Sequence, residues 1–214
     1  ASIVGSTVDA DEDITVEGED GARILSELGA ITVAAGGAGA VSVNVAVSAT
    51  YAENTMGGSL TATIDGSNVE STNGAVTVDA YADNSITALG QSVGVAAGGA
   101  GGVSINVALS AVAATNITGN TVEASIKNGS EVDANNVSDT DGDPGADGEV
   151  TVSATDVSGI QATLVSASVA AGGAGAASVN VAGALVYASN AMSASLDFDW
   201  NGDGLKDFDD IHAG

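Results

Sequence analysis

The sequence predicts an all-β fold: an elongated, repetitive β-solenoid resembling a parallel β-helix, with a stack of long antiparallel hairpins as the alternative. Three observations carry this. First, Ala34-Ala35-Gly36-Gly37-Ala38-Gly39 returns at positions 96–101 and again at 170–175, the second interval longer than the first. Second, apolar residues alternate with small or polar ones at period two, as in Val103, Ile105, Val107 and Leu109 against Ser104, Asn106, Ala108 and Ser110. Third, hydrophobic residues make up 44% of the 214-residue chain but aromatics only 3%, which suits thin layers of small side chains better than a bulky core. Self-similarity of this kind marks units that bury their apolar faces by stacking on one another.

The elements follow in order. Ala1-Ser2-Ile3 reads as strand and matches Ala62-Thr63-Ile64 and Ala124-Ser125-Ile126. Val8, Val69 and Val132 open the next segment. Ile14, Val76 and Val150 follow them, closely in the first two units and after a much longer gap in the third. The longer third unit therefore carries an acidic insertion between Val132 and Val150, at 135–148. Beyond it the register is strict: Val16, Val78 and Val152 precede Gly36, Gly98 and Gly172 by one and the same interval. Helical spacing is hard to find, with a weak trace at Ala22 to Leu28. Past the glycines, Val41, Val43, Val45 and Val47 alternate like Val103 to Leu109, and Val179 and Val181 continue the pattern. The units run 1–61, 62–123 and 124–197, and 198–214 begins a fourth unit or forms a cation-binding loop. Three turns of about 20 residues would suit each solenoid unit.

The Gly-Gly-Ala-Gly segments are not phosphate loops, because no Lys-Ser/Thr follows and a strand rather than a helix comes next. Glycines between strands fit a tight bend or a close backbone approach. Two asparagine columns persist through the array: Asn44, Asn106 and Asn180, and further along each unit Asn54, Asn116 and Asn190. Stacked strands would let each column bond as a ladder. Otherwise these residues lie in turns or on an exposed polar face.

Charge narrows the function classes. With 3 basic and 28 acidic side chains the net charge is −25, which argues against nucleic acid and against anionic membrane surfaces. No apolar run is long enough for a membrane-spanning helix, so no membrane insertion is expected. No cysteine is present, which excludes disulfides. The chain reads as a segment of something longer, with neither end resembling a cap, so it is expected to associate with copies of itself or with further repeats of the same chain.

The run of Ala-x-Ile, Val-Thr-Val, Ala-Gly-Gly-Ala-Gly and Val-Ser-Val/Ile-Asn-Val over about residues 1 to 197 resembles the repetitive β-strand exoproteins of bacteria. These include filamentous adhesins and leukotoxin-like giant surface proteins. The resemblance implies an extracellular location, secreted or at the cell surface, and a role as stalk, adhesin or matrix filament in contact with cell-surface or matrix components. It implies no catalytic residues.

Calcium is expected at the acidic end. Asp199, Asn201, Asp203, Asp207 and Asp210 place oxygen donors at loop positions 1, 3, 5, 9 and 12, with Gly204 at 6 and the Leu205 carbonyl at 7, an EF-hand-type spacing. The stretch also resembles a dockerin half-repeat. It departs from the pattern at Lys206, where an aliphatic residue is usual, and at Asp210, which stands for the bidentate Glu of calcium sensors. The repeat offers a rival reading, in which Trp200 and Leu205 match Ile64 and Val69 as strand residues of a fourth unit. A second, weaker cation candidate comprises Asp139, Asp141, Asp143 and Asp147 in the insertion, where a solvated acidic loop is the plainer reading.

These features favour a non-enzymatic structural segment, stiffened by calcium and prone to end-to-end assembly. An adhesive module for carbohydrate, ice or a host surface is the alternative, although Tyr51, Tyr81 and Tyr187 are scattered and form no platform. A polysaccharide-cleaving β-helix enzyme ranks below both. Only Arg23, Lys127, Lys206 and His212 could supply cationic or basic help, and none lies near a repeated carboxylate pair in sequence.

Overall fold

Among the described residues the alternation becomes thirteen strands, and every pairing between them is parallel. The computed structural model describes residues 1–134 and 148–199, with side-chain surroundings as far as Ser193. Four sheets run the length of the stack. Sheet A holds β1 (Ser2–Val4), β5 (Val41–Asp65), β9 (Val103–Lys127) and β13 (Ala177–Asp199), in that spatial order. Sheet B holds β2 (Thr7–Ala10), β6 (Asn68–Ser71) and β10 (Glu131–Ala134). Sheet C holds β3 (Ile14–Asp20), β7 (Val76–Ala82) and β11 (Val150–Asp156). Sheet D holds β4 (Arg23–Ala38), β8 (Ser85–Ala100) and β12 (Gly159–Ala174).

The chain visits sheets B, C, D and A in turn, then starts again one layer higher. One unit is therefore one large coil, not three short turns. The physical reason is strand length. Sheet D strands run 16 residues and β5 and β9 run 25, far beyond the usual 3–10. The Gly-Gly pairs at 36–37, 57–58 and 98–99 lie inside these strands and do not end them. The weakly helical trace at Ala22 to Leu28 lies at the start of β4, where Ile24 pairs with Ile86 in the next coil and Ile86 is buried.

The hairpin alternative captures one element of the shape. β4 and β5 run in opposite directions on either side of the Gly39-Ala40 bend. Yet their ladder hydrogen bonds go to the next coil, β4 to β8 and β5 to β9, rather than to each other. The two sheets face one another only through side chains.

In cross-section each coil has a bulb and a blade. The bulb is built from sheets B and C and the far end of sheet A. Its core is aliphatic, with Ile14, Val16, Ile64, Val69, Val76, Val78 and Val122 packed together. The blade is sheet D against the first part of sheet A; its interior is small or polar towards the tip and takes in Val112, Leu28 and Leu164 towards the bulb. One alanine layer joins Ala46, Ala96 and Ala108; another joins Ala52, Ala88 and Ala114. Ser42, Asn44 and Ser48 point inward beside them.

The valines near the blade tip point outward, whereas Val112, nearer the bulb, is buried. Val41, Val43, Val45 and Val47 are 55–60% exposed, whereas their neighbours Ser42, Asn44, Ala46 and Ser48 are buried. Small interior side chains let two sheets close on each other, and the β-branched residues that favour strands then occupy the outer surface. The hydropathy pattern of this arm is inside out.

Candidate functional site

Parallel pairing in strict register brings the asparagine columns together. Asn44 Nδ2 donates to Asn106 Oδ1 at 2.9 Å, and Asn106 Nδ2 donates to Asn180 Oδ1 at 2.9 Å. The second column repeats this, with Asn54 to Asn116 at 2.7 Å and Asn116 to Asn190 at 2.8 Å. Asn106 and Asn116 are fully buried. Asn106 and Asn116 thus each donate to the layer above and accept from the layer below, and this satisfies polar groups that would otherwise be costly to bury.

The first ladder is keyed to the glycine segments. Asn44 Nδ2 also meets Ser42 Oγ at 3.1 Å, and Ser42 Oγ donates to the Gly36 carbonyl across the blade at 3.3 Å. Ser104, Asn106 and Gly98 repeat the arrangement in the second coil, and Ser178, Asn180 and Gly172 repeat it in the third. A Cβ on Gly98 would sit 2.0 Å from Asn44 Nδ2 and 2.3 Å from the Gly36 carbonyl oxygen. Both roles considered for these segments are present. Gly36, Gly98 and Gly172 permit close approach, while Gly39, Gly101 and Gly175 follow the sheet D strands at the blade tip, where a Cβ on Gly101 would lie 2.3 Å from the Gly39 carbonyl oxygen.

Two further polar features escape the common register. Ser6, Ser67 and Ser130 mark the corner between sheets A and B. There the Ser6 amide donates to Ser67 Oγ at 3.1 Å, and the Ser67 amide donates to Ser130 Oγ at 3.2 Å. Their spacings of 61 and 63 residues hide them from a fixed-period count. At the junction of bulb and blade, buried Asn84 accepts from the Ala22 amide at 2.7 Å and donates to Asp20 at 3.0 Å. Its equivalents are Ala22 and Ser158, so no repeated residue type signals it.

The ionisable groups show where chemistry could occur. Positions 85–118 and 159–192 contain no Asp, Glu, Lys or Arg, and 23–56 contain only Arg23, Glu27 and Glu53. Among the described residues, all but two of the acidic side chains therefore lie outside the blade. In the bulb, Lys127 pairs with Glu123 at 3.3 Å, both partly exposed, and Ser153 donates to Asp79 in the adjacent coil. Among the described residues no group of three or more His, Asp or Glu is arranged to hold a metal ion. One open groove on the blade, lined by Glu27, Leu28, Leu89, Gln91, Thr163 and Val165, has Glu27 as its single ionisable side chain.

Both cation candidates fall elsewhere. Asp139, Asp141, Asp143 and Asp147 lie outside the described residues, as do Asn201, Asp203, Leu205, Asp207 and Asp210. Of the proposed calcium loop, only the backbone of Asp199 is described. It ends β13, paired with Ser125. His212 and Lys206 also lie outside. No family model, curated protein or solved structure matches the chain.

Proposed function

We propose that this chain is a structural segment, a stalk or filament unit of a larger extracellular or surface protein, whose work is mechanical. The observation that supports it most is register. Every strand pairing is parallel, and each residue of the long strands sits on its counterpart in the next coil. Length then grows by adding coils, and the asparagine ladders run along the same axis. Among the described residues β4 pairs only with β8 and β12 only with β8, so both ends of sheet D present long unpaired edges. Such edges favour end-to-end addition of further coils.

Calcium belongs to this proposal on the oxygen spacing of Asp199 to Asp210 alone. Bound there, it would neutralise carboxylates of a strongly acidic chain and hold the loop closed. The test of end-to-end assembly is sedimentation across a concentration series, beside a variant with proline at an outward-facing amide of β4. Species that grow with concentration in the parent and not in the variant are expected. Growth unaffected by the proline removes edge pairing from the reading.

A further inference from the structure

The outer face of sheet A on the blade is apolar over three coils, and Glu53 at its far end is its single charge. Its ribs are Val41, Val43, Val45 and Val47 in the first coil and Val103, Ile105, Val107 and Leu109 in the second. Val179 and Val181 extend it in the third, both about half exposed. Contiguous apolar patches of this size are rare on isolated soluble proteins and mark interaction surfaces. The opposite outer face, on sheet D, is interrupted by Arg23, Glu27, Gln91 and Gln161. The two faces of one blade thus differ.

We infer that this sheet A face packs against the same face of a second copy of the chain, side by side rather than end to end. Size, charge and shape of the face all suit a second copy. Size is the first: a blade arm of about sixteen residues at a rise of about 3.3 Å, over three strands about 4.8 Å apart, gives a footprint of roughly 700 Å² per copy. That is close to the roughly 800 Å² per partner of a standard stable interface. The second is charge. A chain carrying −25 repels its own copies, and the blade is where acidic groups are nearly absent, so like faces can meet with few carboxylates juxtaposed.

The third is shape. A face of alternating ribs is self-complementary under a twofold axis, as an isologous interface requires. Charge also sets the orientation. An axis parallel to the direction of coil stacking turns the two blades head to tail and carries the acidic bulbs to opposite ends. Each coil then faces its own counterpart. The alternative axis, along the strands, would set the bulbs side by side and is opposed by their repulsion.

The test uses the whole chain. Ile105→Glu places a charge on the middle of the three stacked strands of the face without entering the blade interior, and Val95→Glu places one on the sheet D face as control. Sedimentation equilibrium over a hundredfold concentration range should show a dimer for the parent and for Val95→Glu, and at least a tenfold weaker dimer for Ile105→Glu. Circular dichroism unchanged between the variants shows that folding is intact. Because the chain has no cysteine, a single Leu109→Cys should cross-link to its twin with a short bismaleimide, whereas Val95→Cys should not. Leu109 lies in β9, between β5 and β13, so this cross-link reports side-by-side contact and not end-to-end growth. Cross-linking at Val95 alone, equal effects of the two charges, or a parent chain that binds neutral lipid vesicles without dimerising would overturn the inference.

Discussion

Asn44 and Asn106 are 62 residues apart in the chain and 2.9 Å apart in space, amide to carbonyl. The same separation relates Asn54 to Asn116 across the other column. A bond of this kind forms only if the coil closes after a fixed number of residues, so each rung reports the register of the whole layer. The ladders therefore act as specificity devices as well as stabilising contacts. A one-residue slip would turn Asn106 to the outer face and drive Ile105 or Val107 into a blade interior built for alanine and serine.

The position of a rung sets the cost of losing it. Asn106 is fully buried and bonded on both sides, whereas Asn180 is in an exposed layer. Asn106→Ala is expected to lower stability by about 2–4 kcal/mol, the combined effect of buried Asn44 and buried Ser104 each losing a partner. Asn180→Ala should cost less than about 1 kcal/mol, since water reaches that layer. Urea denaturation of the two variants checks this. Equal losses would show that the ladder does not draw its worth from burial.

The glycine segments give a sharper contrast. Gly98→Ala would force a methyl against Asn44 Nδ2 and the Gly36 carbonyl, so a loss of about 1–3 kcal/mol is expected from overpacking. Gly29→Ala meets no heavy atom within 4 Å and should be neutral or stabilising by up to about 1 kcal/mol, through the unfolded chain. Thermal melting separates the two. A harmless Gly98→Ala would mean that the blade sheets sit further apart than this packing requires.

Much of the architecture was legible because repetition converts counting into contact. Val8, Val69 and Val132, matched by spacing alone, are hydrogen-bonded neighbours, as are Ile14, Val76 and Val150. The sign of the alternation was not legible. Period two defines two faces of a strand and says nothing about which is inside, and hydropathy taken at face value would bury Val43 and expose Asn44. Packing decides otherwise, because two long sheets joined by a two-residue bend must approach closely, and next to that bend Ala, Ser, Gly and ladder-forming Asn fill the space between them. Coil length was obscured for a related reason: the Gly/Asn/Asp clusters that punctuate the bulb look like evenly spaced turns until the uninterrupted strands of the blade are recognised. The corner serines and Asn84 escaped because short insertions shift the first by one residue and the second is not repeated.

The inside-out blade can be tested with one chemical change made in two places. Val78 is fully buried in the bulb, and Val78→Thr should cost about 1–3 kcal/mol by burying a hydroxyl without a partner. Val33 is 65% exposed on the outer face of sheet D, so Val33→Thr should stay within about 0.5 kcal/mol of the parent. Denaturant midpoints measured side by side give the answer. A large loss at Val33 would place that side chain in a core.

Calcium and ionic strength must be separated, because both relieve repulsion among 28 acidic groups. Sodium chloride screens the bulb without selecting a site, and melting temperature should rise gradually between low and physiological salt as the screening length shortens. A bound ion acts by mass action instead, adding about 2.7 kcal/mol once calcium reaches a hundred times its dissociation constant. At matched ionic strength, calcium should therefore raise the melting temperature above the value in sodium chloride, and a chelator should reverse the rise. Asp203→Asn, in the proposed loop, should abolish the calcium increment and leave the sodium chloride response intact. Asp9→Asn, an exposed acidic residue of β2, should leave both responses in place. If sodium chloride reproduces the full effect of calcium at equal ionic strength, the acidic end contributes charge and not a site.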